Sequence, residues 1–181
     1  TASSIYEEKK TGSFRRLLAS PVSRVSLLVG KLLPNFLTAL IQMAVIIAFG
    51  VVGLRLIGLP AVSVGKDPLA LLLVVVLIAL CSSALGILIA ALARTESQIS
   101  GMSTLFLWIM AIVGGSVIPL FALEQFLGPL PSIVPHYWAN RALDDLMIRG
   151  AGFAGVTTEM AALLGFTALF YIVGLWRFDF D

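Results

Sequence analysis

Few residues in the chain could carry out chemistry, and they do not form a recognisable set. There is a single histidine, His136, and a single cysteine, Cys81, which lies inside an apolar run. Asp144 and Asp145 are adjacent, so on a helix their side chains diverge by roughly 100° and do not favour a catalytic pair. The sequence contains no H-E-x-x-H, no G-x-S-x-G and no cysteine–histidine ligand cluster. It therefore predicts no catalytic site, no metal site and no cofactor, and an intramembrane enzyme is the least favoured alternative.

The composition instead indicates a membrane protein. Hydrophobic residues make up 59% of the chain and charged residues 12%, whereas soluble domains carry about 25% charged residues. A fold of this size cannot bury so much apolar surface, but a bilayer can solvate it. The formal net charge of +2 does not favour nucleic-acid binding.

Four uncharged stretches predict an all-α, polytopic membrane protein. A spanning helix needs about 20 mostly apolar residues, and the second stretch is the clearest because it holds nine Leu, three Val and three Ile. These side chains favour insertion by on the order of 5 kcal/mol. The predicted spans cover residues 32–54, 69–93, 98–121 and 159–176.

The segment between the third and fourth spans, residues 122–158, is predicted to be a loop. Three prolines between Gln125 and Asn140 would break a helix repeatedly. We expect short interfacial or re-entrant pieces there, with Tyr137 and Trp138 at headgroup level. Glu159, at the boundary of the fourth span, is predicted to be an interfacial residue.

The distribution of Lys and Arg predicts the orientation. Eight of these residues lie in residues 1–31, in the second connection and at Arg177, next to the cytoplasmic tail 178–181, and four lie on the other side. The positive-inside rule places the eight in the cytoplasm. We therefore expect a multi-pass protein of the cell (inner) membrane, with both ends of this chain cytoplasmic and the loop 122–158 facing outward.

The segment before the first span contains a short amphipathic pattern. Ser13 can cap a helix, in which Phe14, Leu17 and Leu18 form one apolar stripe, and Pro21 ends it. One interpretation is a helix on the membrane surface with its arginines on anionic lipid. The other is a docking helix for a cytoplasmic partner. The helix comprises Phe14, Arg15, Arg16, Leu17 and Leu18.

This segment resembles the cytoplasmic loop of type-2 ABC exporter permeases. The recurring pattern of that family is E-x-x-x-G-[ST]-hydrophobic-x-x-L-hydrophobic-x-[ST]-P-[VI]-x-R, followed by G-K. The chain matches it at Glu8, Gly12, Ser13, Phe14, Leu17, Leu18, Ser20, Pro21, Val22, Arg24, Gly30 and Lys31.

The resemblance implies that the chain is a fragment of a six-span permease, carrying the third to sixth spans. It also implies that Phe14–Leu18 form the coupling helix, which docks on a cytoplasmic ATP-binding subunit present in two copies. A second permease copy or half would complete the complex. Such permeases export drugs, lipids or polysaccharides, and ATP is hydrolysed by the partner.

The source of energy can also be inferred from the residues. Ion-coupled carriers place ionisable side chains inside the membrane, and the uncharged stretches 32–54, 68–93, 97–123 and 160–176 contain no Asp, Glu, Lys, Arg or His. The chain has no glycine-rich loop ending in Lys-Ser or Lys-Thr, so it does not bind ATP by that motif. A separate ATPase fits these absences, and a passive channel or an assembly scaffold remains the alternative.

Small residues on the second span predict a helix-packing face. Ser82, Gly86 and Ala90 are four residues apart, so they share one face and would allow close approach of another helix. The alternative is that this face contacts lipid.

Polar residues on the first span predict a second functional face. Asn35, Thr38 and Gln42 fall within about 80° of arc on a helix. Because polar side chains lose hydrogen bonds in lipid, the stripe should face protein or a water-filled cavity. Two roles are open: hydrogen bonding between helices, or a cytoplasm-facing substrate entrance lined by Gln42.

Overall fold

The computed structural model describes residues 24–93 and 95–177, with side chains described from residue 32 onward within these ranges. The described part consists of helices joined by short connections and contains no strand. Four of its helices are long and apolar enough to cross a membrane: Leu32–Leu56, Pro68–Leu92, Glu96–Val113 and Phe153–Arg177. The prediction of an all-α, polytopic fold is confirmed. The predicted coupling helix lies outside the described residues.

The first spanning helix, α1, covers Arg24–Ala48 and contains Pro34. It continues through a π-helical turn, Phe49–Gly53, and ends in the helical turn Leu54–Leu56. The backbone N–H of Val62 donates to the carbonyl of Gly50 at 3.0 Å, so the following connection folds back on the widened turn.

The second spanning helix, α2, covers Pro68–Leu92 and lies at the centre of the described chain. Asp67 caps its first turn and Pro68 occupies its first position, where a missing N–H costs little. The helix is apolar on all faces, which is typical of a buried or membrane-spanning helix. It is buried on both sides because α1 packs on one face and the last helix on another.

The third spanning helix, α3, covers Glu96–Val113, and Thr95 caps it by accepting from the backbone N–H of Gln98. The prediction extended this span to residue 121. The helix ends earlier because Gly114 and Gly115 form a turn, with Gly115 at a φ of 90° that favours glycine. Ile99 is the one side chain of α3 that the described residues bury.

The segment after α3 is divided at its prolines into short helices. Helix α4 covers Leu120–Leu127 and follows Pro119, and a 3-10 turn covers Leu130–Ile133. Helix α5 covers Pro135–Met147. After a second 3-10 turn, Phe153–Val156, the last spanning helix, α6, covers Thr157–Arg177. We call the end of the bundle that carries α4 and α5 the outer end, after the predicted orientation.

Two apolar clusters stabilise the bundle. The outer core joins α2, α5 and the turn before α6 and contains Ala70, Leu71, Val74, Val75, Ala142, Leu146 and Val156. The middle core joins α2, α3 and α6 and contains Cys81, Ala84, Leu85, Ile89, Ile99 and Phe170.

Candidate functional site

The residues predicted to contact an ATPase, Phe14 to Leu18, lie outside the described residues. Their role stays a prediction from the sequence pattern.

The polar stripe on α1 faces away from α2. Leu40, Met43 and Ile47 pack against the outer core, and Thr38 and Gln42 lie on the opposite side of the helix at about 100° per residue. Both of these polar residues are exposed in the described chain, and Asn35 is half-buried.

The hydroxyl of Thr38 is already satisfied within α1. It donates to the carbonyl of Pro34 at 2.8 Å. Bonding of a hydroxyl to the carbonyl one turn earlier is a common arrangement for Thr in a helix. Gln42 is therefore the residue of the stripe whose long amide side chain extends beyond the helix surface.

The predicted small-residue face of α2 is divided in the structure. Ala90 packs against the middle core, Gly86 is half-buried and Ser82 is exposed. The closest approach of α2 and α6 depends instead on Gly174 of α6, where an added Cβ would lie 3.2 Å from Ile87 Cγ2 and 3.3 Å from the Leu88 nitrogen. The packing of another helix on Ser82 and Gly86 stays a prediction.

Helix α5 has an apolar face and a polar stripe that the sequence analysis did not identify. Ala142 and Leu146 pack in the outer core. At about 100° per residue, Tyr137, Asn140 and Arg141 lie on the opposite side. Each of these three polar residues contacts a different neighbouring element, so α5 connects the parts of the outer end.

Tyr137 connects α5 to α4. Its hydroxyl donates to Glu124 Oε1 at 2.7 Å and accepts from Arg141 Nη1 at 2.9 Å. Tyr137 is buried in the protein, and the prediction that it lies at headgroup level stays a prediction. Burial, followed by the hydrogen bond to the Glu124 carboxylate, raises the pKa of this phenol. The neighbouring Trp138 is half-buried, and its indole N–H donates to the Ser132 carbonyl at 2.8 Å.

Arg141 connects α5 to α6 through a buried carboxylate. Arg141 Nε lies 3.1 Å from Glu159 Oε1, and the Glu159 side chain is only 4% exposed. Glu159 Oε2 has no hydrogen-bond partner among the described residues. The hydrogen bond to Tyr137 raises the pKa of the Arg141 guanidinium, and the charges of Glu159 and Asp145 act in the same direction. Glu159 is enclosed by protein and paired with Arg141, and its position at the membrane interface stays a prediction.

Asn140 connects α5 to the end of α3. Its amide nitrogen donates to the Gly114 carbonyl and to Ser116 Oγ, each at 2.9 Å. The adjacent acidic residues of α5 contact one arginine: Arg149 lies 2.9 Å from Asp144 and 3.1 Å from Asp145. These two carboxylates thus form surface ion pairs.

Asp67 holds the start of α2 against the 3-10 turn before α6. Its two carboxylate oxygens accept from the backbone N–H groups of Ala70 and Phe153, both at 3.0 Å. These hydrogen bonds, with Ala70 first, lower the pKa of Asp67.

A small cavity of about 60 Å³ lies under the N-terminal half of α5. His136 extends into it from α5, and burial lowers the pKa of this imidazole. The lining is mostly apolar and consists of Ile78, Cys81, Ser82, Leu85, Pro135, His136, Ala139 and Leu163.

Within the described ranges, no three His, Cys, Asp or Glu residues lie close enough together to hold a metal ion. The polar groups of the outer end are engaged with one another, in contacts that join helices. The arrangement is suited to holding helices together.

The sequence comparisons identify the family. The family described as ABC-2 family transporter protein matches residues 1–176. The chain belongs to this family. The resemblance to ABC transporter permeases is thereby confirmed, and the protein is membrane-embedded.

Three curated proteins illustrate the similarity. The linearmycin resistance permease protein LnrN of Bacillus subtilis is 29% identical over 96% of this chain and 43% of the relative. ABC transporter G family member 20 of Dictyostelium discoideum is 26% identical over 96% of this chain and 23% of the relative. The inner membrane transport permease YhhJ of Escherichia coli is 24% identical over 98% of this chain and 46% of the relative. The chain therefore spans less than half the length of these relatives, and no solved structure matches it.

Proposed function

We propose that the protein is the membrane subunit of an ATP-driven exporter that moves a hydrophobic or amphipathic substrate out of the cytoplasm. The observation that carries this proposal is the family match over residues 1–176. The name of LnrN, a resistance permease, favours outward movement of a compound that would otherwise act on the cell. Drugs, lipids and polysaccharides are the substrate classes that the resemblance suggests.

The energy for transport would come from a separate ATP-binding subunit in two copies, acting on two permease copies or halves. Phe14 to Leu18 match the coupling-loop pattern of the family and would dock into that subunit. The lack of ionisable residues in the middle of the spans supports an external energy source, since ion-coupled carriers need such residues as relays. No nucleic-acid partner is expected.

The protein would lie in the cell (inner) membrane with both ends of this chain in the cytoplasm. The excess of Lys and Arg before residue 32, between α2 and α3, and at the end of α6 supports this orientation. The outer end, with α4 and α5, would then face away from the cytoplasm, on the side where substrate is released.

Gln42 would line the cytoplasm-facing entrance to the transport path. It is exposed on the side of α1 away from α2, and Thr38 on the same side satisfies its own hydroxyl within the helix. A long amide on such a face needs water or another polar group, because lipid offers no hydrogen bonds. An entrance that is open to the cytoplasm would provide the water.

Reconstituted transport tests the function. The full-length permease and its ATPase would be placed in proteoliposomes with a fluorescent lipophilic dye or a fluorescent phospholipid. We expect movement of one probe that requires hydrolysable ATP. Movement that is equally fast without nucleotide would contradict the exporter and support a passive channel.

Thiol labelling tests the role of Gln42. In a background that carries Cys81→Ser, Gln42→Cys should react with a charged thiol reagent in the absence of nucleotide. Ile41→Cys provides the matched control, because Ile41 is exposed at nearly the same depth but lies about 100° away around α1. Equal and negligible labelling at both positions would remove Gln42 from the path.

A further inference from the structure

The connection between α1 and α2, residues 57–66, carries apolar side chains that no other described element covers. Ile57, Leu59, Val62 and Val64 are all exposed, Ile57 to 64%. A run of exposed apolar side chains indicates contact with a protein or a membrane rather than with water. We call residues 57–66 the outer connection, because they lie at the same end of the bundle as α5.

The backbone of the outer connection cannot lie in lipid hydrocarbon. Between Pro60 and Val64 the described residues make one backbone hydrogen bond, from the N–H of Val62 to the Gly50 carbonyl at 3.0 Å. The other peptide groups of this stretch need water, because unpaired N–H and C=O groups are strongly unfavourable in hydrocarbon. The apolar side chains favour hydrocarbon and the backbone favours water, and the boundary between headgroups and acyl chains offers both.

Two cations flank the outer connection: Arg55 in the last turn of α1, and Lys66 just before α2. Both side chains are exposed, and within the described residues neither forms an ion pair with a carboxylate. Asp67, the next residue after Lys66, accepts instead from the backbone N–H groups of Ala70 and Phe153. Each of the two cations is therefore available to an anion outside the chain.

The other two cations of the outer end differ in this respect. Arg141 lies 3.1 Å from the Glu159 carboxylate, and Arg149 lies 2.9 Å from Asp144 and 3.1 Å from Asp145. Their charges are balanced inside the protein. The positive charge of the outer end that is not balanced there thus lies on either side of the apolar outer connection.

The apolar surface of the outer connection continues that of the spanning helix α1. Ile46, Phe49, Val52 and Leu56 are exposed along α1 as far as its end, with Leu56 next to Ile57. Because α1 crosses the membrane, lipid meets its exposed apolar side chains. This continuity, together with the flanking cations, favours phospholipid over another protein as the partner of the outer connection.

We propose that the outer connection is a phospholipid-binding surface, with its apolar side chains among the upper acyl chains and with Arg55 and Lys66 on lipid phosphates. Net negative headgroups would be preferred, because cations next to a membrane surface attract anionic lipid. The surface is independent of the transported substrate. The predicted orientation assigns it to the leaflet that faces away from the cytoplasm.

Lipid quenching of a fluorophore on the outer connection tests the proposal. The full-length protein, with Cys81 and any other cysteine replaced by Ser, would carry bimane on Leu59→Cys in bilayers. Brominated phosphatidylglycerol should quench this fluorophore more effectively than brominated phosphatidylcholine at the same mole fraction. Each cation should contribute roughly fivefold to the preference. Replacing both Arg55 and Lys66 with Gln should therefore abolish the preference for the anionic lipid.

Arg149→Gln is the matched control for charge. It removes one exposed positive charge from the same end of the protein, but this charge is already paired with two carboxylates. The lipid preference at position 59 should stay as in the parent protein. An equal loss in Arg149→Gln and in the double variant would show an effect of net charge and would overturn the site. Removal of the preference by millimolar inorganic phosphate would indicate a soluble-anion site and would also overturn it.

The depth of the fluorophore tests the position of the outer connection. Phosphatidylcholine brominated close to the headgroup should quench more strongly than the same lipid brominated near the ends of the acyl chains, and aqueous iodide should quench partially. Quenching by iodide without quenching by either brominated lipid would place the outer connection in water. Quenching by neither agent would show that protein covers it. Either of these two results would contradict the proposal, whether or not the protein proves to be an exporter.

Discussion

The crossing of α2 and α6 at Gly174 gives the sharpest test of the fold. A Cβ added to Gly174 would lie 3.2 Å from Ile87 Cγ2, 3.3 Å from the Leu88 nitrogen and 3.4 Å from its Cα. The last two atoms belong to the backbone of the central helix and cannot move aside as the end of a side chain can. Gly174→Leu must therefore separate the two helices or distort one of them.

The size of the effect follows from overpacking. Adding side-chain atoms to a filled interface costs about 1–3 kcal/mol and occasionally more. Loss of glycine from a helix interior returns at most about 1 kcal/mol through better helix propensity. Because 1 kcal/mol shifts the melting temperature by roughly 2–4 °C for a chain of this length, Gly174→Leu should melt several degrees below the unaltered protein.

The assay is thermal unfolding of the purified protein in detergent, followed by loss of monodisperse protein. Gly165→Leu is the control, because Gly165 lies on the same helix and an added Cβ there meets nothing within 4 Å. Gly86→Leu, on the predicted packing face of α2, is a useful third variant, because Gly86 is only half-buried. If Gly174→Leu and Gly165→Leu melt together at the unaltered temperature, the two helices do not cross as described.

Three further predictions concern the cap of α2, the imidazole under α5 and the predicted coupling helix. Asp67→Ala should lower the melting temperature by a few degrees, whereas Asp67→Asn should retain most of the stability. Because hydrogen bonding lowers the pKa of Asp67, the contribution of this residue to stability should persist above a pH of about 3.8 and disappear as the pH falls through the lower pKa of the folded state. Burial lowers the pKa of His136, so the unfolded chain takes up a proton at a higher pH than the folded protein does. Stability should therefore fall as the pH decreases below about 6.5, and His136→Gln should reduce that pH dependence in unfolding curves between pH 5 and 8. Replacing Phe14 and Leu17 with Ser should remove apolar contacts worth about 1.5–3 kcal/mol each and abolish substrate-stimulated ATP hydrolysis, and an unchanged rate would contradict docking through this stripe.

The spans could be predicted because a helix that crosses a bilayer must be long and free of charge, and these two properties can be read directly from the sequence. The end of α3 could not be predicted in the same way. Residues 114–119 carry no charge, so a search for uncharged stretches passes through them. The helix ends there because Gly115 adopts a positive φ and Asn140 of α5 satisfies the carbonyl of Gly114, and the second of these contacts comes from a distant part of the chain.

Glu159 illustrates a second limit. A charged residue at the edge of an apolar stretch is usually assigned to the interface, because an unpaired charge cannot enter the protein or the lipid. The partner of Glu159 is Arg141, which lies on another helix. The only sign of this pairing in the sequence is the spacing of Tyr137 and Arg141, which places both residues on one face of α5. The contacts at the outer end were therefore not predicted from the sequence, because the residues that form them are far apart in the chain.

Two kinds of contact hold the bundle together. In a membrane the lipid is as apolar as the helix surfaces, so helices associate through close packing and polar contacts rather than through exclusion of water. Close packing is concentrated where Gly174 meets α2, and the polar contacts are concentrated on one half of α5 at the outer end. The packing at Gly174 brings the backbone of α2 close to α6, whereas the ion pair of Arg141 and Glu159 joins α5 to α6 through one buried carboxylate. Substitution at Gly174 should thus lower the stability of the protein by separating α2 from α6.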